Sequence, residues 1–227
     1  MENRYVKLVF AILAATLVLI IAILFSQYLS NSQFSSVSQN LQQVQQGLQE
    51  LQVLSSLGAS NSTVSCAILT SGFNGLSSQL SQLGSQAQAA DYENQTGSQY
   101  VQLVDELSYA RIEYWLLSQR IDLQCADNLT TVLLFYKPQN CGSCTLEGSE
   151  LTYLQQLYPN LASTALDGEW NLPVINALNQ VYNLTISQYP VIIVNGKYII
   201  TGYQTTSQLL SDMCKYTNKT EFCDGNV

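Results

Sequence analysis

Apolar residues in the first half of the chain recur at alternating steps of three and four, the repeat of one buried helical face. Phe34, Val37, Leu41, Val44, Leu48 and Leu51 form one series, and Leu69, Phe73, Leu76, Leu80, Leu83, Ala87 and Ala90 a second. Leu103, Leu107, Ala110, Tyr114, Leu117 and Ile121 form a third. They predict three helices, broken near Gly58 to Thr63 and near Asp91 to Ser98, where Gly and Asn collect. At Thr130 the pattern changes. Val132 to Tyr136 is a short β-branched and aromatic run suited to a sheet interior, and a helical stretch from about Cys141 to Tyr158 follows, ended by Pro159. Leu161 to Leu166 reads as a second strand and Leu172 to Tyr182 as a helix with Pro173 in its first turn. Pro190 to Val194 and Tyr198 to Gly202 are strands joined by Asn195-Gly196, a hairpin turn signal, and Thr206 to Tyr216 closes the order β-α-β-α-β-β-α.

Ahead of these elements, Leu8 to Phe25 is an apolar run in which Thr16 is the only polar side chain. At about 1.5 Å per residue it covers about 27 Å, close to the hydrocarbon thickness of a bilayer, and Tyr5 and Tyr28 flank it. Arg4 and Lys7 precede it, whereas the next basic residue is Arg111, which places the N-terminus in the cytoplasm and everything after the run outside. A cleaved signal peptide is the competing reading, but the run is longer than a typical apolar signal region and no A-x-A-like site follows it. The expected organisation is therefore an anchor over residues 1–28, a helical stalk or bundle over 29–126 and a mixed domain over 127–227, in a single-pass protein of the cell membrane.

Composition narrows the chemistry. The 227 residues include 8 basic and 16 acidic side chains and no histidine, for a net charge of -8. No cluster of cations exists to neutralise phosphates, which excludes nucleic acid as a partner. The lack of histidine removes Ser-His-Asp and Cys-His catalysis and most catalytic zinc sites. Five N-x-[ST] sequons, at Asn61, Asn94, Asn128, Asn183 and Asn218, lie beyond the apolar run and are candidate glycosylation sites.

All six cysteines also lie beyond it, an even number that suits disulfides in an exported chain. If the second and third helices form an antiparallel hairpin, Cys66 at the start of one lies near Cys125 at the end of the other, and a disulfide there closes the hairpin's open end. Cys214 and Cys223 have a spacing that suits a tail-closing disulfide. The helices themselves read as a spacer, or alternatively as a partner-binding surface.

Cys141-Gly142-Ser143-Cys144 opens the helix that follows the first strand. A thiol at a helix N-terminus meets unpaired N–H groups and the positive end of the dipole, both of which favour the reactive thiolate. The spacing alone leaves three readings open: disulfide exchange, an inert disulfide, or a zinc knuckle that would need Cys214 and Cys223 as its other ligands. Position at a strand-to-helix junction favours exchange, with no metal and no cofactor. Tyr189-Pro190 is the second element, either an ordinary edge-strand proline or a cis turn opposite the dithiol that offers the Tyr189 backbone to an extended substrate.

The segment VLLFYKPQNCGSC, followed by SQYPVIIVNGKYIITG, resembles the thioredoxin-fold dithiol-disulfide oxidoreductases over roughly Thr130 to Tyr216. The resemblance implies an α/β, thioredoxin-like fold behind a transmembrane helix and an α-helical hairpin or three-helix stalk. It implies Cys141 as the attacking cysteine, Cys144 as the resolving one and Pro190 as a cis-proline shaping the substrate groove. Asn140 stands where many members carry an aromatic residue, and Phe135 where thioredoxins carry a buried acid. Lys137 is the nearest cation to the thiols in sequence, and reads as solvated.

The expected function is a membrane-anchored oxidoreductase that exchanges disulfides with extracytoplasmic client proteins, with formation or isomerisation favoured over reduction. Its redox partner in the membrane is not specified by the residues. The alternative is a non-catalytic thioredoxin-like binding or scaffold module on a helical stalk in the cell envelope.

Overall fold

A computed structural model describes residues 16–21, 36–56, 62–92, 97–125, 129–217 and 219–223. Three long helices come first: α1 (residues 36–56), α2 (Ser62–Tyr92) and α3 (Ser98–Gln124). The apolar series drive their packing, since Leu41, Val44, Leu48 and Leu51 of α1, Leu69 to Ala87 of α2 and Leu103 to Ile121 of α3 are buried at the expected positions. Helices α1 and α2 run antiparallel and approach closely through glycines: a Cβ on Gly47 would stand 2.7 Å from Leu76, and one on Gly72 2.9 Å from Leu51. Helices α2 and α3 are also antiparallel. Phe73 stacks on Tyr114 with ring centroids 4.1 Å apart, and Cys66 is disulfide-bonded to Cys125 at a Cα separation of 5.6 Å.

The rest of the chain builds a mixed sheet of four strands: β1 (Thr130–Tyr136), β2 (Leu161–Asp167), β3 (Val191–Val194) and β4 (Tyr198–Thr201). Their order across the sheet is β2-β1-β3-β4, with β1 parallel to β2 and antiparallel to β3, and β3 antiparallel to β4. Between them run α4 (Gly142–Leu157) and α5 (Pro173–Val181), and after them α6 (Thr206–Thr217) and the short α7 (Thr220–Cys223). Strand side chains alternate between faces. Val132, Leu134, Ile192 and Val194 pack with Leu151 and Leu154 of α4 and Leu209, Leu210 and Met213 of α6. Leu133, Phe135, Val191 and Ile193 pack with Ile175 of α5 and with Ile112 and Trp115 of α3. Helix α3 thus buries two stripes, one in the bundle and one on the sheet, and Leu41–Val227 form one compact unit.

Two ties fix the ends of this unit. Asn195, at φ 49° in the β3–β4 turn, accepts from the Thr131 amide through Oδ1 at 2.8 Å and donates its own amide to the Thr131 carbonyl at 2.8 Å. Cys214 is disulfide-bonded to Cys223, and Lys219 donates to the Leu129 carbonyl at 2.6 Å while lying 3.7 Å from the Asp122 carboxylate.

The expectation of an α/β, thioredoxin-like class behind a transmembrane helix is corrected. Helix makes up about 70% of the described residues, and the sheet is a small mixed one. The reason lies in α3, whose second apolar stripe makes the preceding helices part of the sheet's own covering. Among the described residues no helix is long and apolar enough to cross a membrane. Of the run from Leu8 to Phe25 only residues 16–21 are described, an exposed helical stretch of about 9 Å at 1.5 Å per residue. The rest of that run, with Tyr5 and Tyr28, lies outside the described residues.

Candidate functional site

Strand β1 delivers the chain to the site. After Tyr136 the backbone leaves the sheet through Lys137-Pro138-Gln139-Asn140, with Asn140 at φ 54°, and enters α4 at Cys141, the N-cap. A capping residue normally supplies a side-chain oxygen to the first free amides of a helix. Here sulfur takes that place: the Cys144 amide donates to Cys141 Sγ at 3.1 Å, and the Ser143 hydroxyl lies 3.4 Å from the same atom. Cys141 and Cys144 are joined by a disulfide with Cα atoms 5.2 Å apart. The two sulfur positions are unequal. Cys141 is half-buried, whereas Cys144 is 5% exposed and shares a buried cluster with Phe135, Leu172 and Tyr189. Cys141 is therefore the more accessible end of the bond and Cys144 the interior one.

One turn beyond Cys144, on the same side of α4, sits Glu147, which is fully buried. Its Oε2 accepts from the Gln204 amide at 2.7 Å, and its Oε1 has no hydrogen-bond partner. Burial pushes this carboxyl up to about 7; the Gln204 amide pulls it back in part, and the Glu150 carboxylate adds to the rise. Sequence reasoning missed Glu147. The signal was its spacing of three from Cys144, which puts a carboxyl on the helix side that Cys144 buries.

Tyr189-Pro190 lies at the same end of the sheet. Phe135 pairs with Val191, so Pro190 comes level with Tyr136, just before the loop to Cys141. The Tyr189-Pro190 peptide bond is cis, and the Pro190 carbonyl accepts from the Gly202 amide at 2.8 Å. The Tyr189 side chain is buried, donating to Asn179 Oδ1 at 2.9 Å, and burial raises its hydroxyl pKa. Any role of Tyr189 towards a substrate therefore falls to its backbone.

The remaining candidate residues are spread over the molecule. Cys66–Cys125 forms the disulfide expected of an antiparallel hairpin and Cys214–Cys223 the one expected from spacing. Asn183 is exposed at φ 52°, while Asn61, Asn94, Asn128 and Asn218 lie outside the described residues. Among the described residues no group of cysteines and carboxylates is arranged to hold a metal ion. No protein-family model matches the chain, and neither a curated protein nor a solved structure does.

Proposed function

We propose that this chain is a thiol-disulfide oxidoreductase that exchanges disulfides with client proteins through Cys141 and Cys144. The observation that carries the reading is the inequality of the two sulfurs at the helix N-terminus. A client thiolate attacks Cys141 Sγ, the Cys141–Cys144 bond breaks, and a mixed disulfide forms between client and Cys141. The Cys144 thiolate leaves towards the interior, where it takes up a proton. A second client thiolate then attacks the client sulfur, which releases an oxidised client and the reduced pair. In the reverse direction the Cys141 thiolate is the nucleophile, favoured by the Cys144 amide and by the helix dipole.

Three disulfides in one chain support an oxidising, extracytoplasmic compartment, where formation or isomerisation of client disulfides is the favoured direction. A Cys144→Ser variant tests the reading, because it removes the resolving thiol and should accumulate covalent client adducts on Cys141. Recovering no adduct under either reducing or oxidising conditions would count decisively against exchange. The second reading, a binding or scaffold module with every cysteine locked, is favoured by the fact that all six are paired. Thiol labelling after mild reduction separates the two: selective, fast labelling of Cys141 supports exchange, and uniform resistance supports the scaffold.

A further inference from the structure

The inner cysteine has a second neighbourhood. Between α2 and the α4 flank of the sheet lies a cavity of about 720 Å³, and of the two active cysteines only Cys144 lines it. That volume is of the size that holds a small organic ligand. Its wall departs from the rest of the chain in charge. The protein carries twice as many acidic as basic side chains, 16 against 8, yet the cavity wall contains Arg111 and Lys137 and no carboxylate. Neither cation is paired with a carboxylate among the described residues. Ser77, Ser81 and Ser85, spaced one turn apart on α2, complete one side, with Ser77 Oγ accepting from Gln155 and Ser85 Oγ donating to the Gln82 carbonyl.

The Arg111 guanidinium is held in a seat. A Cβ on Gly84 would overlap Arg111 Nη2, so the cation rests against the α2 backbone, where any larger residue would displace it. Glycine inside a helix is otherwise destabilising relative to alanine. A seated, unpaired guanidinium and a second cation facing a roomy polar space are what an anion with separated acidic groups requires.

We propose that this cavity binds a low-molecular-weight disulfide or thiol carrying carboxylates, held by Arg111 and Lys137 and presented to Cys144. The proposal rests on the exchange reading and adds a second entrance to it, with clients at Cys141 and a small redox partner at Cys144. With the pair reduced, the Cys144 thiolate attacks one sulfur of the bound disulfide. The ligand's S–S bond breaks, a Cys144–ligand disulfide forms, and the first ligand thiolate leaves. The Cys141 thiolate then attacks Cys144 Sγ, which forms the Cys141–Cys144 bond and releases the second ligand thiolate. The two protons lost by the cysteines end on the two ligand thiols. The protein pair is oxidised by two electrons, and the ligand disulfide is reduced by two.

The test uses the full chain and two kinds of probe. Calorimetric titration of the oxidised protein with S-methylglutathione, an anionic thioether that cannot exchange, should show binding that Arg111→Gln weakens about tenfold, the size of one lost charged hydrogen bond. Gly84→Ala should weaken it in the same direction by unseating the guanidinium. Oxidation of the reduced protein by glutathione disulfide, followed by stopped-flow fluorescence, should slow about tenfold in Arg111→Gln, while oxidation by the cationic disulfide cystamine is unchanged. In Cys141→Ser, mass spectrometry should find the glutathione adduct on Cys144. Absence of thioether binding, or equal rates of oxidation of the wild type and Arg111→Gln by glutathione disulfide, overturns the cavity assignment and leaves exchange standing. Failure of both disulfides to oxidise the pair overturns the exchange reading, and the calorimetric result then judges the anion site alone.

Discussion

Cys66–Cys125 closes the chain across a separation of 59 residues between two packed helices, whereas Cys141–Cys144 closes it across 3 at the half-buried head of α4. The first ties together elements that already share buried side chains such as Phe73 and Tyr114. The second constrains almost nothing that α4 does not already constrain, and one of its sulfurs can be reached. A disulfide that restrains a long stretch of unfolded chain contributes to stability; one that spans a single turn is free to serve chemistry. The helical region and the sheet region thus hold the same bond in different settings, and under the proposed exchange only the second is put to chemical use.

The largest expected effect lies on the helical side. Replacing both Cys66 and Cys125 by alanine should lower the unfolding free energy by about 4 kcal/mol, against about 2 kcal/mol or less for the Cys141/Cys144 pair, on loop-closure grounds. Denaturant titration of the two double variants checks this, and equal losses would remove the contrast. Next comes the seam between the regions. Trp115, 2% exposed, packs α3 on the sheet, and Trp115→Ala should cost about 3 kcal/mol through the cavity it leaves. If only the helical signal were lost on melting that variant, the two regions would fold independently.

A third effect sharpens the sheet side. The Glu147 carboxyl titrates near 7 in the folded protein, above its ordinary value of 4.5. The folded state therefore holds a proton that the unfolded state has lost, so stability falls as pH rises from about 4.5 to about 7 and levels off above it. Glu147→Gln should remove that slope and stabilise the protein at pH 8 by about 2 kcal/mol. Melting curves of both proteins between pH 4 and 8 read it directly, with Glu150 and Tyr203 as the neighbouring titratable groups. The smallest effect is Gly75→Ala in α2, where a Cβ meets nothing within 4 Å. It should stabilise by about 0.5–1 kcal/mol, whereas Gly72→Ala should not, because Leu51 stands in the way.

Periodicity made the bundle-facing side chains legible because a helix with one wet face must repeat its apolar residues every three or four positions. The same rule was blind to the second stripe of α3. Ile112 and Trp115 are buried on the sheet, while Leu116 and Leu123 on the same helix are 55% and 83% exposed, and nothing in residue type separates them. That blindness is why the helices read as a spacer. The strand run before Cys141, the Asn195-Gly196 turn and the pairs Cys141–Cys144 and Cys214–Cys223 were readable because each depends on local geometry, and Cys66–Cys125 because an antiparallel hairpin brings its two ends together. The contact of Glu147 with the Gln204 amide and the seat of Arg111 on Gly84 were not, since both arise where elements distant in sequence meet.

The double bond between Asn195 and Thr131 acts as a locating pin for the whole sheet. Sliding β3 along β1 by one residue would turn Val191 and Ile193 to the opposite face and carry Pro190 out of step with the segment leading to Cys141. The pin stands about 17 Å from that segment, five residues back along β1. The alignment of the end that carries Cys141 is thus set at the far margin of the sheet, where a repair or an injury would leave the sulfurs themselves untouched.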